Sequence, residues 1–206
     1  MKKFSFRQTI FLLCSLLTAV LSLCCCAGCT ENEGTERPRF FTVDDAEYLV
    51  LSEEEQNVRL VSYFDGGQEI LSYHVPSLVK FEEVFYEVTE VGDCAFLGAD
   101  ITFLYVEPGV KRIGNNAFAH TSVQLVTFLG AVEELGDRAF GDCARLREVT
   151  FAAVALPPTL GGNVFSLYHK VQKQYVISPS LTLKVPQEAL TLYKAAFGDE
   201  FTYRTA

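Results

Sequence analysis

Few residues in this sequence have the types and spacing that chemistry needs. Two pairs of adjacent glutamates, Glu82–Glu83 and Glu133–Glu134, are the candidates for acid–base work, because glycoside hydrolysis requires two facing carboxylates. Adjacent glutamates at corners between strands are more often a solvated face. Beyond its apolar leader, the sequence contains no Gly-x-Ser-x-Gly, phosphate-binding glycine loop, His-Glu-x-x-His or Cys-x-x-Cys. We therefore expect no catalytic residues, and a hydrolase is the least favoured function.

Metal and nucleic-acid binding are not expected either. His74, His120 and His169 have no cysteine or carboxylate at ligand spacing, so we interpret them as surface or loop residues and expect no metal and no cofactor. The 206-residue chain has 17 basic and 26 acidic side chains, a net charge of −9. This balance argues against nucleic acid, whose binding depends on Lys and Arg contacts to phosphate. It also argues against electrostatic docking on anionic lipid.

Residues 1–28 have the pattern of an export signal. Three basic residues within the first seven precede the apolar stretch Ile10–Leu23, which is too short for a comfortable transmembrane helix. The sequence Ala27-Gly28-Cys29 resembles the lipobox of bacterial lipoproteins, which implies cleavage before Cys29 and acylation of its thiol. Two or three acyl chains on one residue suffice for stable anchoring. The alternative is ordinary secretion after cleavage near Ala27 or Gly28.

Residues 29–38 are polar and acidic and show no apolar periodicity, so we expect a flexible tether. Acidic residues directly after the lipidated cysteine resemble the surface-export signal of some Gram-negative gut and oral bacteria. A plain solvated linker is the alternative. The expected location is therefore the outer membrane, as an exported lipoprotein facing the cell exterior, with membrane contact only through the lipid.

The elements that position any site are repeats. Phe96, Phe118 and Phe140 are spaced by 22 residues, and the glycines four positions before each phenylalanine keep the same interval. Strand-like segments recur before these anchors, with apolar residues at alternating positions. A period in the twenties with recurring apolar positions indicates a leucine-rich or related solenoid.

We predict a β-rich α/β solenoid, a leucine-rich-repeat-like right-handed stack of about four to five short repeats. An N-terminal β-hairpin cap over residues 39–69 precedes the repeats of residues 70–185, and residues 186–206 form a C-terminal capping helix and tail. The helix is expected at Glu188–Phe197, where apolar residues recur at four-residue spacing and Gly198 follows. Ser166–Ser180 is interpreted as an extra loop.

Cys94 and Cys143 belong to repeats two steps apart. Two strand steps of about 4.8 Å place their Cα atoms near 10 Å apart, whereas a disulfide needs about 7 Å or less. We expect two unpaired cysteines that are buried as small apolar residues.

The motif Pro-x-Val-x-x-Ile-Gly-x-x-Ala-Phe within Glu107–Phe118, with echoes at Val88–Phe96 and Val132–Phe140, resembles the BspA-type leucine-rich repeats of bacterial surface proteins. The strand ending at Val185-Pro186 and the helix after it are similar to that family's usual C-terminal end. The resemblance covers about residues 70–197. It implies a leucine-rich-repeat fold and an adhesion or interaction module without catalytic residues.

Candidate binding residues lie where repeat strands should point outward. Two parallel ladders are expected from Phe103, Tyr105, Leu125, Thr127, Glu148, Thr150, Thr182 and Lys184. Exposed aromatic residues on a regular sheet are typical of binding surfaces; the alternative is that the N-terminal hairpin or a loop covers them. A second candidate is the basic, aromatic-rich run that contains Tyr168, His169, Lys170, Lys173 and Tyr175, although insertion loops often have no role.

The favoured function is that of a lipid-anchored surface protein, without enzymatic activity, that binds another protein on a host cell or a neighbouring microbe. The alternative is a glycan-binding accessory lipoprotein of a nutrient-uptake system.

Overall fold

The computed structural model describes residues 38–64 and 66–206. The predicted signal peptide, the lipidation site Cys29 and the predicted tether up to residue 37 lie outside the described residues. In the part that the structure describes, no helix is both long and apolar enough to cross a membrane. The strands form two larger sheets and one separate hairpin.

An eight-stranded sheet contains β1 (Phe40–Val43), β2 (Ala46–Ser52), β3 (Asn57–Tyr63), β5 (Leu78–Phe81), β6 (Val84–Val91), β8 (Arg112–Ile113), β10 (Glu134–Leu135) and β12 (Thr159–Leu160). β1, β2 and β3 pair antiparallel as a meander. β3, β6, β8, β10 and β12 then follow one another in parallel, and β5 pairs antiparallel with the first half of β6.

A six-stranded sheet contains β4 (Ile70–Val75), β7 (Ile101–Val106), β9 (Leu125–Phe128), β11 (Glu148–Phe151), β15 (Thr182–Val185) and β16 (Thr202–Thr205). All of its neighbouring strands are parallel. The repeats add one strand to each sheet in turn: β7 is followed by β8, β9 by β10, and β11 by β12. The inward residues of both sheets join one buried cluster.

The repeated phenylalanines form a column of stacked rings in this cluster. Tyr63, Phe96, Phe118, Phe140 and Phe165 follow one another at centroid distances of 5.0, 4.7, 5.2 and 5.7 Å. The spacing follows from the distance of about 4.8 Å between neighbouring strands, which brings equivalent side chains into face-to-face contact. The column therefore includes Phe165, although the sequence interval before it lengthens from 22 to 25 residues.

A ladder of side-chain hydrogen bonds accompanies the column at the exposed corners, which are the four turns at residues 92–96, 114–118, 136–140 and 161–165. The Oδ1 atom of Asp93 accepts the Asn115 amide at 2.7 Å, and that of Asn115 accepts the Asp137 amide at 2.8 Å. The carboxylate of Asp137 accepts the Gly162 amide at 2.6 Å. Each corner therefore supplies an acceptor to the next one, which fixes the register of the repeats.

The repeated glycines are required by this close approach. A Cβ atom added at Gly114 would lie 2.5 Å from Asp93 Oδ1, and one added at Gly136 would lie 2.8 Å from the Asn115 amide nitrogen. Neither glycine has a positive φ. Glycine is therefore not required here for an unusual backbone conformation. It is required because any side chain would collide with the preceding corner.

Aromatic residues close the N-terminal end. Phe41 stacks on Phe81 at 4.4 Å and lies 5.5 Å from Tyr48. The Tyr86 hydroxyl donates to Glu53 at 3.0 Å, which satisfies the polar end of a ring that is otherwise buried. These contacts join the meander to the β5–β6 hairpin.

A short helix closes the other end. A 3-10 turn, Gln187–Ala189, leads into α1 (Leu190–Phe197), and the chain reverses at Gly198, whose φ is 82°. The Tyr193 ring of α1 lies 5.1 Å from that of Phe151, so the helix packs against the inward side of the six-stranded sheet. The helix agrees with the range predicted from the apolar spacing.

Two elements differ from the sequence expectation. The stretch interpreted as an extra loop is an antiparallel hairpin of β13 (Ser166–His169) and β14 (Gln174–Ile177). The tail after α1 is the parallel strand β16, which extends the six-stranded sheet beyond β15. The sequence signals for both strands were weak, since the hairpin turn lacks the usual glycine or asparagine and β16 is only four residues long.

The two cysteines are unpaired, as expected, but only one of them is buried. The Cys143 thiol lies 3.1 Å from the Phe118 carbonyl oxygen and 3.2 Å from Thr121 Oγ1. Cys94 is exposed, which corrects the expectation of burial. It occupies a corner position with a φ of 58°, equivalent to that of Asn116, from which the side chain faces solvent.

Candidate interaction surface

Two rows of side chains cross the outward face of the six-stranded sheet. The register places equivalent residues of neighbouring strands side by side and brings all eight predicted strand residues into these rows. The first row is Ser72, Phe103, Leu125, Glu148, Thr182 and Thr202, and the second is His74, Tyr105, Thr127, Thr150, Lys184 and Arg204. We call these twelve positions the row surface.

Strand alternation explains why these residues face outward. Between the two row positions of each repeat strand lies an inward residue, for example Leu104, Val126 or Val149, and each of these is at most 1% exposed. The eight predicted residues are partly exposed, and the residues contributed by the first and last strands are exposed.

The row surface is aromatic at its N-terminal end. The His74 ring stacks on Tyr105 with a centroid distance of 4.6 Å and an interplanar angle of 18°. His74 Nδ1 also lies 3.0 Å from a carboxylate oxygen of Glu107. The imidazole is therefore held in place from two sides, and it covers one face of the tyrosine ring. Phe103 lies in the neighbouring row.

A cavity of about 380 Å³ adjoins this aromatic end. Its lining includes Asp44, Tyr48, Tyr73, His74 and Lys80 together with apolar residues of β1 and β5. Burial, and to a lesser extent the nearby Asp44 carboxylate, raise the pKa of Tyr48 to about 12. Burial likewise raises the pKa of Tyr73. Both hydroxyls therefore keep their protons at neutral pH and can donate hydrogen bonds.

The C-terminal end of the row surface is charged. Lys184 Nζ lies 3.0 Å from a carboxylate oxygen of Glu148, across one strand step. Arg204 follows Lys184 in the second row. The surface thus changes from aromatic to charged along a single direction, from β4 to β16.

The outward face of the eight-stranded sheet has a different character. Arg59 pairs with Glu90 at 2.6 Å, and Arg112 pairs with Glu134 at 3.3 Å, so charges of opposite sign alternate along one row. Lys111 pairs with Glu133 beside them at 3.3 Å. These charges already have partners, which lowers the gain from binding another protein there.

The paired glutamates that could have served acid–base chemistry therefore make ion pairs. Glu133 and Glu134 bind Lys111 and Arg112 of the preceding repeat. Glu83 binds Lys80 at 3.1 Å, and Glu82 lies 3.7 Å from Arg39. Among the described residues, no group of three or more His, Cys, Asp or Glu side chains could hold a metal ion.

The second candidate, the basic and aromatic run, forms the β13–β14 hairpin and stands apart from the row surface in a sheet of its own. Tyr168 and Tyr175 are cross-strand neighbours with ring centroids 5.3 Å apart. The Arg138 guanidinium lies 5.2 Å from the centroid of the Tyr175 ring and binds Asp142 at 2.6 Å. Asp142 also accepts the Tyr168 amide at 2.7 Å.

The rings of this hairpin thus help to attach it to the third corner. Its basic residues are left at the exposed turn, between the two strands. His169 accepts a hydrogen bond from the Gln172 amide at 3.2 Å, and Lys170 and Lys173 are fully at the surface.

Four positions of the row surface were not among the predicted residues. Ser72 and His74 lie on a strand that the sequence did indicate, but His74 was interpreted as an isolated surface histidine. Thr202 and Arg204 lie on β16. Its alternation, with Phe201 and Tyr203 more buried than Thr202 and Arg204, was the available signal for a further strand.

Comparison with known proteins agrees with the parallel register and the corner motif. The profile of the BspA type leucine-rich repeat region matches residues 74–197, with six copies of the repeat. The chain belongs to this family. The BspA-type repeats account for strands of both sheets, the corners and α1.

Solved structures give the same fold. A leucine-rich repeat protein from Bacteroides capillosus superposes with a TM-score of 0.55 at 21% identity, over 71% of this chain and 97% of that protein. The pneumococcal vaccine antigen PcpA gives a TM-score of 0.52 at 19% identity, over 73% of this chain and 42% of that antigen. No curated protein matches the chain. These similarities support a BspA-type fold of parallel strands. They assign no function to individual residues of the row surface.

Proposed function

We propose that this chain is a protein-binding module displayed on a bacterial cell surface, without enzymatic activity. Membership of a family of surface-protein repeats supports a role in protein binding or adhesion. A structural relative is a vaccine antigen, which fits exposure at a cell surface. We also infer that the repeats coil as a right-handed solenoid, since connections between parallel strands of one sheet are nearly always right-handed.

The observation that carries the proposal is the contrast between the two outward faces. On the row surface, Phe103, Tyr105 and Leu125 are apolar or aromatic and keep part of their surface exposed. On the eight-stranded sheet, the equivalent row consists of paired charges. Tyrosine and tryptophan are enriched among the few residues that dominate the binding energy of protein interfaces. We therefore assign the row surface as the contact face.

The geometry favours a protein over a glycan. A sugar ring binds an aromatic side chain by stacking on its face, and His74 already covers one face of Tyr105. That face of the Tyr105 ring is therefore not free for a sugar. The six strands span about 24 Å at about 4.8 Å per step. A protein partner that contacts about 800 Å² would therefore cover most of the rows together with the cavity beside His74.

A binding screen tests this proposal. The chain from residue 29, with Cys29→Ser to prevent acylation, would be assayed against host extracellular proteins and a glycan array in parallel. We expect a protein ligand whose affinity falls by about 10-fold or more in Tyr105→Ala and in Leu125→Ala. Lys111→Ala on the opposite sheet is the control and should leave affinity unchanged. A glycan ligand lost in Tyr105→Ala alone would contradict the proposal.

We further propose that Cys29 carries the lipid and that the module faces the exterior of the outer membrane. The Ala27-Gly28-Cys29 sequence and the acidic residues after it support this. Wild-type cells grown with an alkyne-tagged fatty acid should label the protein, and Cys29→Ser cells should not. Protease added to intact cells should degrade the wild-type module. Labelling that persists in Cys29→Ser would refute the assignment.

A further inference from the structure

The corners of the repeats are joined by three backbone hydrogen bonds each, whose donors lie at alternate residues. The amides of Cys94, Asn116 and Arg138 donate to carbonyl oxygens of the following corner at 2.9, 2.9 and 2.8 Å. Two residues later, the amides of Phe96, Phe118 and Phe140 do the same at 2.7, 2.8 and 2.9 Å. The amides of Gly98, His120 and Asp142 make the third bond, at 2.9 Å in each case. Every corner thus offers amides at alternate residues to the corner that follows it.

Asn163 and Phe165 occupy the first two of these positions in the fourth corner, and among the described residues no fifth corner follows it. The third position falls at Leu167 of β13. Asn163 keeps the positive φ of its equivalents, 56° compared with 52° at Asn116, so the turn conformation continues into this corner. Within residues 38–64 and 66–206, neither amide has an acceptor. A backbone amide without a protein partner must be satisfied by water or by a ligand.

Both residues line an open groove of about 620 Å³. One wall is the fourth corner, a second is Tyr175–Ile177 of β14, and the third is the end of α1 with Phe201. Apolar side chains from Phe165, Ile177 and Phe201 contribute to the lining. Glu200 is the charged residue of the lining, and Asp199 lies next to it in the chain.

We propose that this groove binds an extended peptide segment of another polypeptide. Two carbonyl groups of the peptide, two residues apart, would accept the amides of Asn163 and Phe165 and so continue the hydrogen bonding of the corners. An aromatic or aliphatic side chain of the peptide fits the apolar lining, and a Lys or Arg beside it fits the carboxylate of Glu200. Strand addition at an unpaired edge is a common mode of peptide recognition.

The composition of the groove selects among possible occupants. Residues 30–36 of this chain contain three glutamates and no large apolar side chain, so the groove repels this segment. The site is separate from the row surface, and it can take a second partner or a second segment of the same partner.

A peptide with the sequence of Leu135–Gly141, capped at both ends, is a suitable probe. In the molecule this segment provides the carbonyls that accept from the preceding corner, and it contains Phe140 and Arg138. Amide resonances of the chain from residue 29, carrying Cys29→Ser, would be followed during titration. We expect saturable shifts centred on Asn163 and Phe165, with a Kd below about 1 mM, and slower hydrogen exchange at both amides.

Variants of α1 provide matched controls. Ala195 and Ala196 are neighbouring exposed residues, but only Ala196 lines the groove. Ala196→Trp fills the groove and should weaken binding by about 10-fold or more, whereas Ala195→Trp should leave it unchanged. Glu200→Lys should also weaken binding, and a peptide with Glu in place of Arg138 should bind less well than the original.

Three results would overturn the proposal. The first is no saturable shift up to millimolar peptide. The second is binding that Ala196→Trp leaves intact, which would place the peptide elsewhere. The third is shifts at Asn163 and Phe165 that depend on protein concentration without peptide, which would show that a second copy of this chain fills the groove.

Discussion

Phe118 lies in the middle of the ring column, with Phe96 on one face and Phe140 on the other, and is 1% exposed. Phe118→Ala removes both stacking contacts and leaves a cavity that neighbouring rings cannot fill. We expect a loss of about 3–5 kcal/mol in the free energy of unfolding, measured by urea denaturation. Phe85→Ala is the control, since Phe85 is 58% exposed and should cost less than about 1 kcal/mol. Equal losses of unfolding free energy in the two variants would contradict the stacked column of rings.

The corner glycines permit a sharper test at single-atom scale. In Gly136→Ala the new Cβ would lie 2.8 Å from the Asn115 backbone, so two corners must separate. We expect a loss of about 1–3 kcal/mol from this overpacking. In Gly162→Ala the nearest atom is 3.6 Å away, and the free energy of unfolding should change by less than about 0.5 kcal/mol. Thermal melts of both variants would decide, and a tolerated Gly136→Ala would contradict the corner geometry.

The Cys143 thiol should make stability depend on alkaline pH. Burial raises its pKa to about 11, from about 9 for an ordinary thiol. Between these values the unfolded chain loses the thiol proton and the folded chain keeps it, so the free energy of unfolding falls as pH rises above 9. The loss reaches about 2–3 kcal/mol by pH 11. Urea titrations at several pH values should show a shallower decline in Cys143→Ala than in the wild type, and parallel declines would refute this role.

At the scale of elements, the regular repeats were predictable and the added hairpin was not. The strands β7, β9, β11 and β15 follow from apolar alternation, and α1 follows from four-residue spacing before Gly198. The β13–β14 hairpin turns at Lys173, whose φ is 53° although it is not a glycine or asparagine. Its pairing also depends on the contacts of Asp142, an interaction across 26 residues that no local pattern contains.

The attachment of this hairpin can be tested through Asp142. Asp142→Gly removes the carboxylate that binds Arg138 and the Tyr168 amide, and glycine accepts the φ of 57° without strain. We expect local opening of the hairpin and trypsin cleavage after Lys170 or Lys173 at least about 10-fold faster than in the wild type. Glu188→Gly, an exposed change away from the hairpin, should leave the cleavage rate unchanged. An unchanged rate in Asp142→Gly would show that other contacts hold the hairpin.

The row surface is a property of the whole molecule. The sequence predicted its residues on the four inner strands and not those on the first and last strands. The outward positions of Phe103, Leu125 and Glu148 follow from alternation within single strands. Their alignment with Ser72 and Thr202 depends on which strands become neighbours at the two ends of the sheet. The charge row of the opposite sheet was missed because β8 and β10 have only two residues each, too few to show a period.

The fixed register predicts how the molecule tolerates loss of a repeat. Deleting residues 115–136 joins Gly114 to Asp137, so the chain loses 22 residues and every remaining corner keeps its place. We expect a folded protein with one cooperative transition at a lower melting temperature, because stability is nearly additive over neighbouring repeats. Deleting residues 117–136 removes 20 residues and breaks the period, and this variant should not fold. Circular dichroism melts compare them, and similar behaviour of the two would contradict the register.

The separation of inward and outward positions has an evolutionary consequence. A change at an inward position must suit the repeats on either side, so such residues can drift only in concert with others in the same chain. A change on the row surface is constrained only by binding to the partner. Each repeat adds one strand to the six-stranded sheet and so one residue to each row. Duplication of a repeat therefore lengthens the row surface without disturbing the positions already present. New ligands can thus be acquired by changes at single positions of the row surface while the buried core stays constant.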